Sequence, residues 1–216
     1  MPDLNFEVIG AETPAFAAMP TLIFKLRITN SDEHEMIHTV ALRTQLQIAV
    51  TRRNYTASSQ AQLLDVFDEP ARWGTTLKNL LWTHISTIVP SFTGSTMVEL
   101  SIPCTYDFEV VTTKYFHALD SGEIPLLFQF SGSIFYATVE NALQVMQVSW
   151  KKEASYRLPV LLWQEMMERY YPNSVWLHLD KEIFDRLYHY KLHQRLPTWE
   201  ATFAQLLQRN GEEVPQ

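Results

Sequence analysis

The chain has 216 residues, of which 46% are apolar, 12% aromatic and 19% charged, with a formal net charge of −7. This is enough apolar chain for one large domain, or for one domain with a helical appendage. The acidic balance argues against nucleic acid as a main partner. The single cysteine, Cys104, excludes an internal disulfide framework and any zinc site built from several thiolates.

Met1-Pro2-Asp3-Leu4-Asn5 has neither a basic region nor an apolar run, so no secretion signal is expected. No stretch approaches the roughly 20 apolar residues of a membrane span. The expected placement is cytoplasmic, without membrane insertion. A short strand is predicted at Phe6–Val8. Leu22, Phe24, Leu26 and Ile28 then alternate with Ile23, Lys25, Arg27 and Thr29. After a polar turn at Asn30-Ser31-Asp32-Glu33, Val40, Leu42, Thr44, Leu46, Ile48 and Val50 alternate with Ala41, Arg43, Gln45, Gln47, Ala49 and Thr51. Period-2 patterning of this length is the signature of a half-buried strand.

Ser59-Gln60-Ala61-Gln62 reads as a capping box ahead of a helix carrying Leu63, Leu64, Val66 and Phe67, ended by Pro70. Strands are predicted at 81–89, 97–102, 106–111, 125–130, 133–137 and 142–150, with one helical turn over 114–119. Gly94, Gly122 and Gly132 punctuate these runs, and Gly132 suggests a hairpin or a bulge. After Trp150 the period changes. Leu161, Leu162, Met166 and Tyr170 sit at helical spacing, stopped by Pro172-Asn173. Asp180 can cap a helix with Ile183, Phe184, Leu187 and Tyr188 on one face. A third helix carries Trp199, Phe203, Leu206 and Leu207. The pattern predicts a mainly β protein: an antiparallel, immunoglobulin-like β-sandwich over residues 1–152, and a C-terminal α-helical segment over 153–216, packed on the sandwich or on a partner.

His34-Glu35-Met36-Ile37-His38 spells H-E-x-x-H, the zinc-protease signature. The motif works on a helix, where residues four apart share a face, both imidazoles reach one Zn²⁺, and the Glu acts as general base on the bound water. The alternation that follows His38 makes this copy a strand entry, where positions four apart stand roughly 13 Å from one another. A short helix capped by Ser31, running through Met36, Ile37, Val40 and Ala41, is the competing reading.

Other candidates carry equally plain accounts. His189 and His193, with Asp185 one turn earlier, could line a metal-binding helix face or simply a polar one. Cys104 could be a nucleophile or a small buried hydrophobe. Asp107, Asp120 and Glu123 fall at turns; a glycosidase would need two of them across a cleft. There is no G-x-S-x-G elbow, phosphate-binding loop or dinucleotide fingerprint. Trp73, Trp82, Trp150, Trp163, Trp176 and Trp199 are spread along the chain. That aromatic excess at low charge is compatible with a sizeable interaction surface.

The pattern Trp73…Trp82, Pro103-Cys104-Thr105-Tyr106-Asp107, Ile124-Pro125-Leu126-Leu127-Phe128-Gln129-Phe130-Ser131-Gly132, Trp150, Leu158-Pro159 and Trp163 resembles an uncharacterised bacterial domain-of-unknown-function family over nearly the whole length. Such proteins look like neighbours of uptake-hydrogenase genes, so the resemblance implies an accessory or assembly role. It transfers no catalytic residue, and His34 and His38 lie outside it. The expectation is a non-catalytic interaction or assembly protein with a protein partner or a homo-oligomeric state, and no cofactor, catalytic or metal-binding residue is assigned. The alternatives are a zinc-dependent hydrolase acting through residues 34–38 and a small-ligand or carbohydrate-binding sandwich.

Overall fold

The computed structural model describes residues 1–104, 110–137 and 142–211. Two antiparallel sheets form a sandwich. The first orders β1 (Leu4–Glu12), β2 (Thr21–Asn30) and β6 (Ser95–Pro103). The second runs β4 (Leu80–Val89), β3 (Met36–Ile48), β7 (Glu123–Ala137) and β8 (Leu143–Gln147). β5 (Phe92–Thr93) pairs with the start of β3, and β9 (Glu153–Pro159) pairs with β7.

Alternation along each strand builds the core. Leu22, Phe24, Leu26 and Ile28 of β2 are fully buried, and Leu42, Leu46 and Ile48 of β3 meet them from the other sheet's inner face. Each such side chain contributes about 2 kcal/mol through burial. Phe6 stacks on Phe130 at 4.4 Å, and Phe24 meets Phe128 edge-on at 5.2 Å. The opposite face of the second sheet carries a polar cluster at its centre, beside exposed Ile88, Leu143 and Val145. Gln45 and Gln47 both donate to the side-chain carbonyl of Gln129, at 3.2 and 3.1 Å, and His84 lies 3.2 Å from Gln45.

The residues expected as two strands around Gly132 form one 15-residue strand, β7. Its first half pairs with β9 and its second half with β8, and Gly132 sits where one partner gives way to the other. The glycine is needed not for a turn but for a close approach. At φ +137° it lies against Ala41 and Leu42 of β3. Residues 153–159, expected as part of the helical segment, form β9. Of the strand expected over 106–111, residues 106–109 lie outside the described residues, and Val111 opens a helix instead.

Helices are inserted between strands. α1 (Ala57–Gln62), α2 (Leu64–Phe67) and α3 (Trp73–Thr76) follow β3, and α4 (Val111–His117) follows β6. The cap of α1 is Thr56, whose hydroxyl accepts from the Ser59 amide, rather than Ser59 itself, which is buried. α4 supplies Tyr115 and Phe116 to an aromatic cluster with Phe67, Trp82 and Trp163. α5 (Val160–Tyr170) continues directly from β9. Its buried face is Val160, Trp163, Met166 and Met167, and Leu161, one of the residues read at helical spacing, is exposed.

The chain divides into two compact units, Met1–Trp176 and Leu177–Gln216. The second holds α6 (Lys181–His193) and α7 (Trp199–Arg209). Asp180 caps α6 by accepting from the Glu182 amide, and Thr198 caps α7 by accepting from the Ala201 amide. Among the described residues, no helix is long and apolar enough to cross a membrane.

Candidate functional site

His34 lies in the turn before β3, and His38 lies in β3. The helix that the zinc chemistry requires is not formed, as the strand alternation predicts. Both imidazoles are exposed. Asp32 shapes the turn by accepting from the His34 amide at 3.0 Å. Glu35, the residue that would serve as general base, pairs with the end of β2 and the residues before β1 instead. It accepts from the Asn30 side-chain amide at 3.2 Å and lies 3.3 Å from the Met1 amino group.

Asp185, His189 and His193 do line one face of α6, all exposed. Among the described residues, no group of three or more His, Cys, Asp or Glu side chains is placed to hold a metal ion. Cys104 is buried at the end of β6, and burial pushes its thiol up to about 12. A thiol that stays protonated is a poor nucleophile.

The carboxylates expected at turns are tied into the structure. Asp120 accepts from the hydroxyls of Thr56 at 2.8 Å and Ser59 at 3.5 Å, which joins the start of α1 to the loop after α4. Glu123 lies 3.7 Å from Arg157 on the neighbouring strand. Arg53 reinforces the same corner by donating to the carbonyls of Ser121 and Glu123. Asp107 lies outside the described residues. Beside this corner, the Tyr55 hydroxyl donates to the Val50 carbonyl at 2.7 Å. With its only proton so used, Tyr55 accepts from Tyr115 at 3.0 Å. Burial raises both phenols. This polar network borders the aromatic cluster and is used up in joining α1, α4 and the loop after it.

The surface most suited to a function lies in the second unit. Helical spacing puts Phe184, Tyr188 and Leu192 in one row of α6, and Trp199, Phe203 and Leu207 in one row of α7. Ring contacts join the rows: Phe184 is 6.2 Å from Tyr188 and 5.3 Å from Trp199, which is 6.2 Å from Phe203. Lys191 sits over the Trp199 ring at 5.9 Å. Phe184, Trp199 and Phe203, with Leu177, Leu179 and Lys181, line an open groove of about 500 Å³. No residue of α6 is buried. The spacing of these apolar residues was legible in the sequence; their exposure was not, because a one-sided apolar helix reads the same whether or not that side is covered.

A family model described as a family of unknown function, DUF6084, matches residues 1–215. No curated protein matches. Solved structures include the solution structure of a late embryogenesis abundant (LEA) protein at 13% identity and TM-score 0.31, covering 74% of this chain and 73% of that one. The ApaA protein from Bordetella pertussis matches at 10% identity and TM-score 0.25, covering 73% and 93%. A β-glucosidase from Kluyveromyces marxianus matches at 7% identity and TM-score 0.25, covering 72% of this chain and 15% of that one.

Proposed function

The chain belongs to the family of unknown function DUF6084, and we propose that it is a non-catalytic protein-interaction protein with an accessory or assembly role. The observation that carries this reading is the aromatic face of α6 and α7. Phe184, Tyr188 and Phe203 remain 42%, 45% and 37% exposed in a unit with almost no buried side chain of its own. Contiguous aromatic surface of this kind favours association, because burying it removes large apolar areas from water at low side-chain entropy cost.

In its specific form, the proposal places the protein in the bacterial cytoplasm with a component of a hydrogenase system as its client. The family resemblance supports this form, through gene neighbourhood and through no side chain. The test is affinity capture from a host that carries a hydrogenase, comparing the wild-type chain with a Phe184→Glu/Phe203→Glu variant. Recovery of a hydrogenase component with the wild type, and its loss with the variant, is the expected result. Identical captures from both proteins would remove the reading.

A further inference from the structure

We infer that the aromatic face of the α6–α7 unit is covered by a second copy of this chain. The inference rests on the reading of that face as an interaction surface and names its occupant.

The unit is a layer without a core. It spans Leu177–Gln216, α6 buries nothing, and α7 buries only Thr202. Helices in a stable globular layer bury an apolar stripe, and a unit of about 40 residues rarely supplies a sufficient core from its own chain. The apolar surface is one-sided. Phe184, Tyr188 and Leu192 form one row of α6, while Asp185, His189 and His193 form an exposed polar row. A one-sided layer needs one more apolar layer, and twofold pairing supplies it from the same sequence.

The area reaches the size of a small specific interface. Leu177, Leu192 and Leu207 are 55%, 53% and 42% exposed, and Phe184, Tyr188 and Phe203 add their open portions. At roughly 150–250 Å² per large side chain, these open portions amount to roughly 400–700 Å² per copy and about 800–1,400 Å² for a pair, a span that includes the lower edge of the range for specific interfaces. The charges around the face also permit self-pairing. Lys181 lines the groove and Lys191 covers Trp199, while Asp185 follows Phe184 and Glu200 follows Trp199. A rim of mixed sign can meet its own copy without the repulsion that a one-signed rim would impose.

The experiment is sedimentation equilibrium of the full chain across a range of concentrations. The wild type is expected at twice the 25.1 kDa chain mass. Phe184→Glu/Phe203→Glu, and independently Leu192→Glu/Leu207→Glu, are expected at the single-chain mass with an unchanged far-UV spectrum. Val145→Glu, which replaces an exposed apolar residue on β8, should leave the dimer intact. A wild type that stays monomeric at every concentration overturns the inference, as does a dimer that survives both pairs of substitutions. A monomeric wild type whose client capture still depends on Phe184 and Phe203 overturns the second copy and leaves the proposed function standing. A monomeric wild type whose capture ignores those residues removes both.

Discussion

Gly132→Ala perturbs the sandwich where it has least room. A Cβ at position 132 would stand 2.0 Å from the Ala41 carbonyl oxygen, 3.0 Å from its carbonyl carbon and 3.2 Å from the Leu42 Cα. All three atoms belong to the backbone of β3, which is held between β4 and β7. No side-chain rotation can relieve the clash, so β7 must move away from β3 by more than an ångström. The positive φ adds about 1–3 kcal/mol of strain for a residue with a Cβ. Overpacking adds about 1–3 kcal/mol. Displacing the Gly132 carbonyl also weakens its 2.9 Å bond from the Val148 amide, which contributes about 1 kcal/mol. The sum is about 3–7 kcal/mol, a large part of the roughly 5–15 kcal/mol that stabilises a typical domain. Thermal and urea unfolding, followed by far-UV circular dichroism and tryptophan fluorescence, would measure it. The Tm is expected to fall by roughly 10–15 °C. Gly10→Ala is the control, because no atom lies within 4 Å of a Cβ there. A Gly132→Ala protein within about 1 kcal/mol of the wild type would refute the close-approach argument.

Thr44 is 1% exposed at the middle of β3, and its hydroxyl has no hydrogen-bond partner among the described residues. Thr44→Val is therefore expected to raise stability by about 1 kcal/mol, read as a higher urea midpoint; a lower midpoint would show that the hydroxyl is satisfied. Cys104 should resist a thiol-disulfide reagent at pH 8 in the folded protein and react fully in denaturant, because burial holds the thiol at about 12. Prompt labelling of the native protein would contradict this. His34→Ala/His38→Ala should shift stability by less than about 0.5 kcal/mol, since both side chains are exposed. Zinc should shift the Tm of wild type and variant equally; a rise confined to the wild type would point to a metal held by the two imidazoles.

Much of the sandwich was legible because a strand with one buried face writes its geometry into alternate residues. The β2 and β3 patterns need no further information, and they also identify residues 34–38 as a turn entering a strand. Other features depend on neighbours distant in sequence. Gly132 punctuates the pattern as a turn would, and only the backbone of β3 explains why a continuous strand needs it. α5 is apolar on several sides, so its sequence leaves the buried face open; packing of Trp163 against Phe116 sets the phase. Thr56 and Ser59 are both acceptable caps, and Asp120 holds the Thr56 hydroxyl in place at 2.8 Å, closer than the 3.5 Å to Ser59. In the C-terminal unit, Asp180 and the apolar spacing fixed the helices correctly. Whether Phe184 and Phe203 were covered is a matter of tertiary and quaternary contact that periodicity does not encode.

Hydrogen exchange of the full chain at low and high protein concentration tests the central claim most directly. If the aromatic face of α6 and α7 is where the protein associates, the amides of these helices gain protection as concentration rises, while those of β2, β3 and β7 remain unchanged. Exchange in α6 and α7 that is the same at both concentrations, in a protein that recovers no client through Phe184 and Phe203, would contradict the account.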